Sequence, residues 1–486
     1  MTPALPSRPR LAGHVLARRH VVDGELRIVL HDLASARLVQ VGPREWGLLA
    51  AADGTRDLDG ILLAAAREGA HARREALEPF LQQLHLAGML EDGSDPVPAR
   101  KAETTGDAGP GDADPGDASR RLEPLPGFTL SCDGSGSCCR IYASVVFGPL
   151  EATRARALLP RILDGGERHE RVFMPERGSA PTGGAIVTLR DGRCAYLGDD
   201  DRCGLHALAG PAAKPVGCAT FPASFTDDGE VVRVTVSVEC ACVLASVGHE
   251  GGAPLVPPGA SVRGDLNETL SVPSLPELVQ VSPERMAPRA DLRAWSRRIA
   301  ALLVASTPAD TAASLVSLGA AIGARGLAAD PEPSFARPPP IAPGAVLPWI
   351  EALHRRARRR EHEDATWRST RDLARRATRW IAAASRALLE PGALDALLAQ
   401  PIAAPASEAL YVRALVHGHH LVTGGLPLSY ALHDRAVRLL VARALPAVFA
   451  SEPADARDPA SAHPLSLVEA MLRGHGLDAY AHDMAG

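Results

Sequence analysis

Apolar and polar residues alternate in RIVLHDL (27–33) and ARLVQVG (36–42), a period of two that predicts two short strands around a turn at Ala34–Ser35. The period then lengthens. PREWGLLAAADG, TRDLDGILLAAAREG and RREALEPFLQQLHLAGML repeat their apolar residues at helical spacing. Pro43 stands where a first helical turn accepts it, and Gly54 and Gly69 fall where helices end. Two strands followed by three helices predict a small winged-helix-like domain over 11–95. KAETTGDAGPGDADPGDASRR has nothing to bury and predicts a flexible acidic linker over 96–123. CAYLGDDDRC (194–203) reads as strand, turn and strand, and VVRVTVSVE (231–239) as a strand running into CAC, with both thiols on one face. These short strands place a second domain over 124–250. ADLRAWSRRIAALLVAS, TAASLVSLGAAIGARGLAA and LSYALHDRAVRLLVARAL return to helical spacing, so 285–486 is expected to be α-helical. Pro338–Pro340 and the Asp/Pro-rich stretch near 452–464 divide it. The expected class is α+β and multidomain.

Composition changes this picture little. Apolar content of 46% and charged content of 22% are ordinary for a globular chain of 486 residues. The net charge of −5 exerts no global pull on nucleic acid or anionic membrane. Lys101 and Lys214 are the only lysines, an arginine bias typical of GC-rich bacterial genomes. The basic N-terminus lacks an apolar signal core, and no run approaches eighteen uninterrupted apolar residues. A cytoplasmic location without a membrane partner is the expectation. Disulfides are disfavoured there, and clustered cysteines bind metal or do redox chemistry.

That expectation matters because all eight cysteines lie between positions 132 and 242: Cys132, Cys138, Cys139, Cys194, Cys203, Cys218, Cys240 and Cys242. Thiolates brought together repel unless a cation binds them, and soft sulfur selects zinc, copper(I) or iron–sulfur clusters. In SCDGSGSCC, Gly134 and Gly136 allow turns tight enough for three sulfurs to converge. Paired C-x2-C knuckles, the usual zinc signature, are absent, so spacing leaves open zinc or an iron–sulfur cluster of the 4Fe-4S kind. Eight sulfurs fill two four-ligand sites, or one with spares.

Two family resemblances attach to these residues. VGPREWGLLAAADGTRDLDGI followed by LEPFLQQLHLAGML resembles the PqqD-type winged helix, the peptide-recognition element of ribosomal-peptide modification systems. The cysteine region resembles the YkgJ-type family, whose members are described as zinc- or iron-chelating. Cys132, Gly136, Cys138, Cys139, Cys194, Tyr196, Leu197, Cys203, Leu205, His206, Lys214, Pro215, Cys218, Phe221 and Pro222 match its pattern. Ser135 stands where many members carry a further cysteine, and Cys240 or Cys242 could replace it. The family includes flagellin lysine N-methylase, which adds a longer helical C-terminal part as this chain does. The resemblance therefore implies a metal or cluster, a peptide or protein substrate, and methyl transfer. No Gly-rich loop after a strand cradles a nucleotide cofactor. The rival readings are a non-catalytic, metal-stabilised adaptor that docks a peptide, and a redox-responsive regulator.

Other candidates are weaker. His206 packs beside the cluster or joins it as a ligand. Asp199–Asp201 read as a solvated turn. In HGHH, His417 and His420 would share a helical face as a metal pair. The arginine-rich 354–380 is interleaved with acids and reads as a solvated face. The third N-terminal helix lacks the cations of a DNA recognition helix, which argues against a nucleic-acid partner.

Overall fold

In the computed structural model the described residues are 4–12, 15–22, 25–32, 38–67, 69–93, 121–132, 146–162, 173–175, 185–187, 189–190, 193–198, 202–210, 213–249, 251–256, 272–366, 372–451, 463–474, 477, 480–481 and 484. They form two compact units. The first is built from 1–107, 144–196 and 367–371, the second from 108–143, 197–366 and 372–486. The expected acidic linker lies mostly outside the described residues.

The first unit opens with β1 (Pro9–Leu11), β2 (Val15–Val22), β3 (Glu25–Asp32) and β4 (Leu38–Val41). Helices α1 (Pro43–Ala51), α2 (Leu58–Arg67) and α3 (Arg74–Leu86) and strand β5 (Leu90–Asp92) follow. β2, β3 and β4 form an antiparallel meander, and β1 pairs with β5. Ile28 and Leu30 alternate onto the buried face of β3. They share a core with Leu49 of α1, Ile61 of α2, and Leu77, Leu81 and Leu84 of α3, whose spacing makes one helical face. Every buried member of this core lies between Leu11 and Leu90. Gly54 and Gly69 take φ of 86° and 84°, a backbone that residues with a Cβ avoid.

Further along, β7 (Val146–Phe147), α4 (Pro149–Ile162), β8 (Phe173–Pro175) and β9 (Ala185–Val187) belong to the same unit, with β9 central in a three-stranded sheet. β10 (Leu189–Arg190) pairs parallel with β2 and antiparallel with β11 (Arg193–Cys194). The larger sheet therefore has the order β11-β10-β2-β3-β4, with β4 at an edge.

The second unit begins at β6 (Leu122–Pro124), which lies parallel to β13 (Val232–Val236); β13 also pairs antiparallel with β12 (Ala223–Asp227). Short helices α5 (Gly204–Ala209), α6 (Val216–Thr220) and α7 (Ala241–Ala245) carry cysteines, and β14 (Leu278–Ser282) and β15 (Arg285–Pro288) form a hairpin. The rest is helical: α8 (Arg289–Ala305), α9 (Thr311–Arg325), α10 (Glu332–Ala336), α11 (Pro343–Thr366) and α12 (Asp372–Leu389), then α13 (Ala393–Leu398), α14 (Pro405–His417), α15 (Leu428–Ser451) and α16 (Pro464–Gly474). α8, α9 and α15 fall on the three segments read as helical from the sequence. The fold is mixed α+β, with more helix than strand.

One core runs through this unit. Val236, Val238, Cys240 and Cys242 belong to the same buried cluster as Trp295, Leu315, Tyr411, Leu440 and Tyr480. The CAC segment thus shares its core with the C-terminal helices. α9 and α15 pack closely at Gly319, where a Cβ would sit 2.6 Å from Nδ1 of His433. The stretch Thr311–Ala328 is long and apolar enough to cross a membrane by length and composition, although the sequence contains no uninterrupted apolar run of that length. Leu315, Leu318 and Ile322 in it are buried within the unit's core.

Candidate functional site

The cysteines are placed mostly where loops turn into helices. Cys132 is exposed at the end of a described stretch, while Cys138 and Cys139 lie outside the described residues. Cys194 is buried on β11 of the first unit, opposite Leu189. In the second unit Cys203 is the N-cap of α5 and bridges antiparallel to Leu197, where Gly198 N–H donates to the Arg202 carbonyl at 2.9 Å. A helix follows Cys203 instead of the expected returning strand, and Asp199–Asp201 lie outside the described residues. Cys218 is the third residue of α6. All six described cysteines are thiols.

The reading of CAC as strand-borne is overturned. β13 ends at Val236, and the Cys240 N–H donates back to the Ser237 carbonyl at 3.2 Å, closing a turn. Cys240 is then the N-cap of α7 and Cys242 its second residue. Cys240 thus precedes the helix and Cys242 lies within it, so the strand rule that puts both thiols on one face does not apply. ACVLA has helix-favouring residues that the valine alternation before it masks. Among the described residues, no three His, Cys, Asp or Glu side chains are grouped to hold a metal.

HGHH also departs from expectation. α14 stops at His417, and His419 has a left-handed backbone with φ of 54°, so helical spacing does not carry through to His420. His417 Nε2 lies 2.9 Å from the Glu123 carbonyl, and His420 Nε2 lies 3.1 Å from Ser224 Oγ. Burial pushes His417 down to about 4, against the lifting effect of that carbonyl. His419 is buried 3.6 Å from the Asp228 carboxylate and 3.5 Å from Ser296 Oγ. Burial alone would raise Asp228. The His419 edge, the Val231 and Glu230 N–H groups and Arg233 outweigh it and hold the carboxyl well below its usual range. Arg233 also pairs with Glu123. This network ties β6, β13 and the turn after α14 into one unit. His206, by contrast, is exposed on α5.

The sequence reading missed a cavity of about 190 Å³ beside the CAC segment. One wall is the segment from Val236 to Glu239, the residue before Cys240. Another is the turn carrying His420, Thr423 and Gly424, and helices α14, α15 and α16 supply Tyr411, Arg435, Arg438 and Glu469. Arg435 and Arg438 reach Glu469 at 2.9 and 3.1 Å, and Arg438 reaches Asp434 at 2.9 Å. Tyr411 donates to Glu469 at 2.5 Å, and Tyr480 to Asp434 at 2.6 Å. Burial would raise Glu469, yet Arg438 and Arg435 hold it down to about 2. Burial raises Tyr411, and the Glu469 charge raises it further, so it stays a protonated donor. The signal was the Asp434–Arg438 spacing of four in a helix otherwise rich in Leu, Val and Ala. The sequence reading of this segment is a helix and nothing more.

The arginine-rich stretch is largely such a face where described. Arg355 pairs with Glu351 at 2.7 Å, Arg358 pairs with Glu361, and Arg376 stacks 5.7 Å over the Trp380 ring. Arg360, however, is buried. No family model matches the chain, and neither a curated protein nor a solved structure matches it.

Proposed function

We propose that the chain is a cysteine-ligated metal protein, binding an iron–sulfur cluster or zinc, that acts on a peptide or protein. The observation that carries this reading is the crowding of all eight cysteines between positions 132 and 242. The donor chemistry fits: the described cysteines are thiols, and thiolates select zinc or iron–sulfur clusters. Among the described residues no three donors are grouped, and the proposal rests on the sequence match: Cys132, Cys138, Cys139, Cys194, Cys203 and Cys218 are the main ligand candidates. Cys240 and Cys242 are the remaining ones. When bound, the group would supply redox or Lewis-acid chemistry, or stability alone. The resemblance to the YkgJ-type family, with its lysine N-methylase branch, favours a role in protein modification.

The three-helix unit behind the β2–β4 meander supports a winged-helix reading of the PqqD kind. Its outer strand β4 offers a sheet edge to which an extended peptide can add as a further strand. Anaerobic purification followed by metal and sulfide analysis tests the central claim. Iron with acid-labile sulfide, or zinc, at one or two sites' worth per chain is the expected result. Metal-free protein in which all eight thiols titrate would overturn it.

A further inference from the structure

We infer that Ser246 is a positioning residue for the thiols: its hydroxyl fixes the chain at Cys132 to the helix that carries Cys242, and so links what Cys132 helps to bind to the stability of the C-terminal helices. The inference rests on the reading that the cysteines bind a metal. It adds a residue with no ligating role that sets the affinity.

Two thiol-bearing stretches far apart in sequence meet at one hydroxyl. Ser246 caps the end of α7, and its N–H and its Oγ both donate to the Cys242 carbonyl, at 2.9 and 2.6 Å. The same Oγ accepts the N–H of Ser131, the residue before Cys132, at 2.9 Å. Both sides of this contact are fixed. Leading into Ser131, the Leu125 N–H donates to the Val234 carbonyl at 2.8 Å, and the Arg413 guanidinium donates to the Pro126 carbonyl at 2.6 Å. Leu130 and Ala253 then exchange two backbone hydrogen bonds of 2.8 Å. Gly252 permits that approach, since a Cβ there would come 2.9 Å from the Leu130 carbonyl. On the other side, Cys242, Val243 and Leu244 are buried in the core of the C-terminal helices, and α7 packs against α14 and α16.

Cys132 is exposed, one residue beyond this stem. A ligand that coordinates it must hold its backbone still, and Ser246 removes part of that freedom before binding, which strengthens the binding. The converse follows from linkage. Whatever binds the thiols only in the folded arrangement adds its binding free energy to the fold that presents them. Through Ser246 that fold includes α7 and the helices it packs against.

The test strips the full chain of metal with a chelator under anaerobic conditions and titrates in cobalt(II), whose thiolate charge-transfer absorbance reports coordination directly. In wild type, cobalt should raise the melting temperature followed by helical circular dichroism. Ser246→Ala should fold and bind cobalt about three- to tenfold more weakly, the effect expected of one ordinary hydrogen bond. Its Ser131 amide should also exchange hydrogen faster. Gly252→Ala, which crowds the same stem from the other side, should weaken cobalt as well. Ser385→Ala is the control. Its buried hydroxyl makes the same bond to the carbonyl four residues back, but on α12, so its loss should leave cobalt affinity unchanged. The inference is overturned if folded Ser246→Ala binds like wild type, if Ser385→Ala weakens binding equally, or if cobalt leaves the wild-type melting temperature unmoved. Failure of the metal reading itself looks different: wild type would show no charge-transfer band at all, and this inference would fall with it.

Discussion

His417 and His419 enter the interior as rings that the fold keeps neutral, and that gives this protein a titration of its own. The folded-state value of His417 is about 4 while an unfolded histidine titrates near 6.5, so below about pH 6.5 the unfolded chain binds the proton first. A depressed histidine contributes full stability above its unfolded value and loses it as pH falls toward the folded one. By pH 5 this residue alone should cost about 2 kcal/mol relative to pH 7. The carboxylates of Asp228 and Glu469 are held low and stay ionised through that window. Urea denaturation at the two pH values should show the loss, and His417→Gln should shrink the difference by about that amount, leaving the part owed to His419, His433 and His463, which burial also lowers. An equally steep pH dependence in the variant would place the effect elsewhere. Neither ring's role was legible in the sequence, because HGHH is read as a helical pair only if the helix continues. The helix breaks at the left-handed His419, and Gly418 lets the turn lie against β13, since a Cβ there would come 2.3 Å from Thr235 Cγ2.

At the scale of elements, caps and periodicity were the legible part. α9 begins at Asp310, whose carboxylate accepts from the Ala312 and Ala313 N–H groups at 3.0 and 3.2 Å and from Arg443 at 2.9 Å. Asp310→Ala removes a helix cap and one partner of a part-buried arginine, and should cost about 1–2 kcal/mol by denaturant melting. A loss below a few tenths would show that Glu408, the other partner of Arg443, suffices. β2 escaped the hydrophobic pattern because Arg18, Arg19 and His20 interrupt VLARRHVV, and its pairing with β3 fixes it instead. The end of β13 was misplaced for the opposite reason, since alternation continues in sequence past the point where the Cys240 turn closes. That error changes what cysteine variants should do. Cys203 sits partly exposed at a loop–helix junction, so Cys203→Ser should lower metal content and leave the melting of the C-terminal helices unchanged. Cys242 is buried in the core those helices share, so Cys242→Ser buries a hydroxyl there and should cost about 1–3 kcal/mol whatever the metal content. Metal analysis and melting curves on both variants separate the two roles. Full metal in Cys203→Ser beside an empty Cys242→Ser would make the α7 thiols the primary ligands.

For the whole molecule, the question is which part of the chain can stand alone. The second unit cannot be cut at residue 250 without exposing apolar surface, because Val236, Val238 and Val243 lie in the same cluster as Trp295 and Leu440. The N-terminal segment is different. Its buried core runs from Leu11 to Leu90, closed by β1 pairing with β5, with Ser7 donating to Asp92 at 3.0 Å beside it. The later segment adds β10 against β2, a two-residue contact at the sheet's flank. Residues 1–95 should therefore fold as an independent fragment and unfold cooperatively, without added metal, since the fragment contains no cysteine. A domain of this size is only marginally stable, and losing the β10 pairing lowers it further, so a melting temperature below that of the full chain is expected. Circular dichroism with a sigmoidal urea transition would bear this out. A featureless, non-cooperative spectrum would mean that the strands from 144–196 are obligatory, and that the N-terminal unit is completed only when the chain returns to it.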